Sequence, residues 1–250
     1  MLQKILKNYI EKYSREKSNY DERYEYKPKF EFKIRKSSVK GIDMPMLEHY
    51  FKMYIPGERD YIDRLEREDA YQQAKRNLNK LASDNPLPKS EVSRMFGQLV
   101  GHKEYKPKLW KSGSIHRHTR KTLNYPNDLR ELVRSVKQYS KLETGFAFEK
   151  SMTTLNQMKK QKRISGIGEN IVTEMLMTFE PDKFANLNDN PLRVLKEAGK
   201  VFPAPTGFNS EVYVEYVELL IRIRNRLNMS TFLEIDSFFN FIYWYLKNNN

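Results

Sequence analysis

The sequence predicts a mainly α-helical protein, a bundle of helices with one small extended element near the N-terminus. Three observations carry this. Apolar residues recur at spacings of three and four through most of the chain, which gives each segment one oily face. Strict alternation, the mark of a half-buried strand, is confined to Tyr24, Tyr26, Phe30, Phe32 and Ile34. Finally, Gly166-Ile167-Gly168 stands between two helix-patterned stretches, where glycines permit a tight turn that side chains would obstruct.

The first expected helix covers 2–17, with Ile5, Leu6, Tyr9, Ile10 and Tyr13 on one face. The extended arm follows at 20–36, interrupted by Pro28, and 37–45 reads as a loop. A short helix at 46–55 stops at Pro56-Gly57. The next, 58–82, is long and charged. Tyr61, Ile62, Leu65, Ala70, Tyr71, Ala74, Leu78 and Leu81 form its stripe, and Asp60, Asp63, Glu66, Glu68 and Asp69 beside Arg59, Arg64 and Arg67 form a salt-bridged outer face. After a break at 83–88, Ser90 is placed to cap a helix that reaches residue 100.

The stretch 101–125 has no regular period. Pro126 suits the first turn of a helix running to 142, and 146–160 forms another, with Phe148, Met152, Leu155 and Met158 inward. Beyond the hairpin, Ile171, Val172, Met175, Leu176 and Phe179 mark an amphipathic helix at 171–179. A helix at 191–198 halts at Gly199, and two more at 211–227 and 232–246 complete the pattern. Asp236, inside the apolar run of the last, is expected to cap that helix or to pair with Arg222 or Arg224. No period repeats across the chain, which excludes a solenoid.

With 39% apolar and 13% aromatic residues in 250, the chain has material for a real core. A mean hydropathy of −0.79 argues against membrane spans, as does the lack of any run approaching ~18 apolar residues. The first residues carry no signal-peptide core, and the absence of cysteine excludes disulfides, thiolate zinc sites and cysteine nucleophiles. A cytoplasmic protein is expected.

The formal net charge of +13 is unevenly placed: 101–165 holds about 16 Lys and Arg against about 5 Asp and Glu. Such concentration points to a polyanionic partner. Lys111, Arg117, Arg120 and Lys121 interleave with Tyr105, Trp110 and Tyr125, a mixture that can hold phosphates and stack on bases. Trp110 is equally suited to anchoring that loop in the core. His116 and His118 lack a third ligand at metal spacing, so no metal is expected. Around the hairpin, Lys159, Lys160, Lys162 and Arg163 lead into Ser165, Gly166, Gly168, Glu169 and Asn170. Backbone amides at that helix start can face a phosphate.

Taken in order, Gly166-x-Gly168, the following helix and the run Asn188-Asp189-Asn190-Pro191-Leu192-Arg193 through Gly199 resemble the helix-hairpin-helix region of DNA glycosylases. They are more similar still to helical segments associated with McrB-type restriction ATPases and related prokaryotic defence proteins. Tyr213, Tyr216, the run Leu233–Phe239, Trp244 and the upstream Trp110-Lys111-Ser112-Gly113 with Arg117 match further parts of that pattern. The resemblance spans roughly 110–246 and does not reach the first 100 residues. It implies a glycosylase-like fold and duplex-DNA binding. The resemblance also gives a catalytic Asp and a catalytic Lys to positions held here by Asn188 and Asn170. An amide neither takes a proton at neutral pH nor offsets a developing cation.

The expectation is therefore a helical module over 1–100, including the arm at 20–36 and a candidate surface for a protein partner. It is followed by a glycosylase-like helix-hairpin-helix domain over 101–250 that binds double-stranded DNA without catalysis. The expected contacts are Lys160, Lys162, Arg163, Ser165, Gly166, Gly168, Glu169, Asn170, Trp110, Lys111, Arg117, Arg120 and Lys121, with no cofactor. There is no Walker A run, so no ATPase is encoded. Two other readings stay open: a base-excision or base-flipping enzyme using Asp189 as its acid, and an interaction module whose basic face meets an acidic protein.

Overall fold

The computed structural model describes residues 39, 41–54, 58–102, 104–110 and 119–249. The chain forms Met44–Tyr54 (α1), Glu58–Leu81 (α2), Lys89–Val100 (α3), the short Thr119–Thr122 (α4), Pro126–Tyr139 (α5), Thr144–Lys160 (α6), Glu169–Phe179 (α7), Asp189–Glu197 (α8), Ser210–Arg226 (α9) and Phe232–Asn249 (α10). A 3-10 turn, Pro205–Gly207, precedes α9. No strand occurs among the described residues; the helix expected at 2–17 and the extended arm at 20–36 lie outside them.

Everything is arranged around α7. Ile171 to Phe179 are all buried, so the helix is not amphipathic, as its apolar spacing suggests, but enclosed on every side. It packs on α2, α5, α6 and the 3-10 turn. Enclosure is possible because its polar residues find partners inside. Thr173 Oγ1 donates to the Glu169 carbonyl at 2.9 Å and Thr178 Oγ1 to that of Glu174 at 2.7 Å. The Glu174 carboxylate accepts from Tyr71 and Asn186.

Around this axis α5 packs on α6, α6 on α9, α2 on α3, and α10 on α8, α9, α1 and α2. Phe148 and Tyr213 stack at 4.3 Å between α6 and α9. The α9 tyrosines reach past the core to hold the segment after α7: Tyr213 donates to the Ala185 carbonyl at 2.7 Å and Tyr216 to that of Asn186 at 2.9 Å. Burial pushes both phenols well above their usual range.

The division expected at residue 100 runs through this core. Leu47, Phe51, Leu78, Leu81 and Phe96 belong to the same buried cluster as Leu132, Met175, Tyr213 and Phe238. The helices are also tied to one another through their ends. Arg130 on α5 donates to the carbonyls of Leu81, Ser83 and Asn85 at 3.1, 2.5 and 2.7 Å, closing the C-terminus of α2. Arg134 adds bonds to Ala82 and Ser83. Lys75 caps α7 through the Phe179 carbonyl at 2.6 Å. These cations satisfy carbonyls that a helix end leaves open, so part of the basic character of the chain serves its own backbone.

Helix starts differ from expectation where capping differs. Asp43 Oδ1 accepts from the Met46 amide at 3.0 Å, which starts α1 two residues early. Ser90 does not cap α3, which begins at Lys89 after Pro88 with no side-chain cap.

Candidate nucleic-acid interface

The hairpin between α6 and α7 is built from one helix ending and one helix beginning. At the end of α6 the Arg163 amide bonds to the Met158 carbonyl at 2.9 Å and the Lys162 amide to that of Lys159 at 3.0 Å. This is the Schellman pattern, which needs a left-handed residue at the position of Lys162. Lys162 indeed has φ of 58°. Two other helices end in the same way. After α8 the left-handed residue is Gly199, and after α9 it is Asn228. Those residue types tolerate the conformation, whereas a lysine at this position is strained.

Ile164 and Ile167 then turn inward, 2% and 3% exposed, and pin the loop to the core. Of the two glycines only Gly166 needs its freedom, at φ of 79°. Gly168 is extended, with φ of −121°, and caps α7 through its carbonyl, which accepts from Ile171 and Val172 at 3.2 Å each. It has no side chain to cap the helix, so the first-turn amides of Glu169 and Asn170 stay clear of one, as an anion site requires. Glu169 already places a carboxylate in that first turn. Ser165, Gly166, Gly168, Glu169 and Asn170 are all half-buried.

The basic residues divide into two groups. Lys160 and Lys162 are exposed, and so is Lys121. Lys121 belongs with the hairpin because the fully buried Thr122 beside it donates to the Ser165 carbonyl at 2.7 Å. Arg163 is committed elsewhere. Its guanidinium bonds to Asp128 at 2.8 Å and also to Glu131, both on α5. The hydrogen bonds it donates to Glu131 and Asp128 hold its pKa above the usual range. Arg163 therefore fastens the hairpin to α5 rather than offering a free charge.

Trp110 is also removed from the expected contact surface. Its ring is fully buried, edge-on to Phe96, and its Nε1 donates to Thr178 Oγ1 on α7 at 2.9 Å. It anchors the loop in the core and cannot stack on a base. Arg120 lies in α4, while Lys111 and Arg117 lie outside the described residues.

Asn188 is bound at both ends. Its Oδ1 accepts from the Asn190 amide at 2.9 Å, capping α8, and its Nδ2 donates to Asp236 Oδ1 at 3.1 Å. Asp236 neither caps α10 nor pairs with Arg222 or Arg224; Arg67 on α2 donates to its Oδ2 at 2.7 Å. Burial raises the Asp236 carboxyl while Arg67, then Asn188, pull it back. Burial works against the Arg67 charge, but Asp236, together with Tyr71, Tyr54 and Glu174, more than restores it. The adjoining Tyr71 phenol is pushed up by burial and by Glu174. Sequence spacing misses Glu174 and Asn186, and it puts Arg67 on an outer face and Tyr71 on the apolar stripe without their buried partners. The available signal was Glu174, a carboxylate amid Val172, Met175 and Leu176.

Asp189, the alternative acid, is exposed in the first turn of α8, where its charge complements the helix dipole. No group of three His, Cys, Asp or Glu side chains suited to a metal ion occurs among the described residues. Nor is any described helix long and apolar enough to cross a membrane. Compared with family models, curated proteins and solved structures, the chain matches none.

Proposed function

We propose that this protein binds double-stranded DNA without catalysis, gripping phosphates at the hairpin 165–170. The setting implied by the resemblance is a restriction, defence or counter-defence system. The observation that carries the reading is Lys162. A lysine occupies a left-handed helix-ending position that Gly199 and Asn228 fill in the equivalent places, and its side chain is exposed. Backbone strain of this kind persists where the side chain is needed. Lys160 on one side and Lys121 on the other give the turn three exposed positive charges beside the start of α7. The position that the resemblance gives to a catalytic acid is an amide whose two ends are both occupied, which supports binding rather than excision.

The test is duplex binding by fluorescence anisotropy over a salt series. Each phosphate neutralised contributes about −0.9 to the slope of log affinity against log salt, so three lysines give about −2.7. Replacing Lys160 and Lys162 by Glu should abolish most of that slope. Affinity no better than micromolar at low salt, or a slope indifferent to both substitutions, rejects the proposal.

A further inference from the structure

We infer a second binding surface, for unpaired nucleic-acid bases, on the ledge where the end of α10 meets α8. Trp244 is 47% exposed, a large ring left in water, whereas the other tryptophan of the chain is buried. Tyr243 is half-buried beside it, the two rings meeting edge to face at 5.3 Å. Two exposed cations bracket the pair. Lys247 Nζ lies 4.7 Å from the Trp244 centroid and 6.0 Å from that of Tyr243, and Arg193 reaches Tyr243 from α8 at 5.7 Å. Among the described residues neither cation has a carboxylate partner within salt-bridge distance.

A ring and a positive charge side by side match the two parts of a nucleotide. The base stacks, and its phosphate is neutralised, without any need to read sequence. Duplex DNA hides its base faces, so the fitting occupant is a single strand. The rest of α10 argues against a lipid surface. Phe232, Ile235, Phe238, Phe239 and Ile242 are spent in the core, leaving a local ledge and not the continuous apolar stripe that an interfacial helix inserts. This inference stands on Arg193, Tyr243, Trp244 and Lys247 alone and is independent of the hairpin.

Because Trp110 is buried, the tryptophan emission open to contact quenching is that of Trp244. Titrating the full chain with oligothymidylate at low salt should quench it, and Trp244→Phe should remove the quenching signal. Trp244→Ala combined with Lys247→Glu should weaken binding of a labelled oligothymidylate by about tenfold or more, with an unchanged far-ultraviolet circular dichroism spectrum. Lys160→Glu/Lys162→Glu should keep the quenching. The inference is overturned if oligothymidylate leaves the emission unchanged, if the ledge substitutions leave its affinity unchanged, or if anionic phosphatidylserine vesicles quench and blue-shift the emission in its place.

Discussion

Arg67 and Asp236 hold opposite charges in a place where either alone would be costly. Arg67 is 12% exposed at its side chain and Asp236 6%. Removing one partner of a buried pair leaves an uncompensated charge, so Arg67→Met should destabilise the protein by about 3–5 kcal/mol in urea unfolding. The sign of its pH dependence follows from Asp236. Burial already raises that carboxyl and Arg67 lowers it, so losing Arg67 raises it further. A carboxyl that holds its proton more tightly when folded favours folding as pH falls through the raised range, and opposes it as pH rises. The deficit of Arg67→Met relative to the parent should therefore shrink between neutral and mildly acidic pH. Adding Asp236→Asn should make that variant insensitive to pH over the same range. Asn188 is constrained by the same carboxylate. Asn188→Asp keeps the cap on α8 but sets two carboxylates together, at a cost of about 1–3 kcal/mol or more. The exchange Asn188→Asp/Asp236→Asn restores the donor between the two positions and should recover part of the loss, the remainder being the carboxylate taken from Arg67. If the single and double variants are equally unstable, the hydrogen bond from Asn188 to Asp236 does not govern this position.

The helix ends decide what the hairpin can do. Lys162 occupies its left-handed position at a cost of roughly 1 kcal/mol relative to glycine. Lys162→Gly should therefore raise the unfolding free energy by about 0.4–1 kcal/mol, while lowering the salt slope of duplex binding by about 0.9. A variant that is more stable and binds less tightly cannot have lost binding by unfolding, so this substitution separates the two effects. Gly166 and Gly168 are expected to respond differently. Gly166→Ala forces an alanine to φ of 79° and should cost about 1–2 kcal/mol. Gly168→Ala keeps an extended backbone but brings its Cβ to 3.3 Å from Asn170 Oδ1, which accepts from the Ile171 amide, so thermal melting should show a loss smaller than that of Gly166→Ala. Arg130 acts at another end: in Arg130→Ala the carbonyls of Leu81 and Asn85 lose this donor and that of Ser83 keeps only Arg134, with an expected loss of about 1.5–3 kcal/mol.

At the level of the whole molecule the shared core predicts cooperative unfolding. Trp110 connects the two sides of the expected division: its backbone amide bonds to the Leu99 carbonyl and its indole to Thr178 on α7. Urea unfolding followed by tryptophan emission and by far-ultraviolet circular dichroism should give coincident transitions. Two separated transitions would mean that 1–100 and 101–250 unfold independently. The charge distribution also belongs to this scale. Three arginines within 101–165 are engaged inside the molecule, because Arg130 and Arg134 close α2 and Arg163 is bound to α5. The charge left for a polyanion is smaller than the count suggests, and Lys121, Lys160 and Lys162 are the exposed lysines nearest the hairpin.

The sequence by itself determined the helical class, the order of the helices from α1 onward apart from the short α4, and the site of the sharp turn. These follow from local rules: apolar spacing, helix-ending Gly199 and the proline that opens α5 act within one or two helical turns. Its spacing also marked Lys160 and Lys162 as surface charges. Only the tertiary structure decided which cations remain free, because Arg163 needed Asp128 and Glu131 from another helix to be neutralised. It also decided that Trp110 is an anchor, that α7 is enclosed and that Asp236 meets Arg67, a partner 169 residues away along the chain. Periodicity records which face of a helix is apolar, but not what lies opposite. The partner of a buried polar group is chosen by long-range packing, which has no local signature in the order of residues.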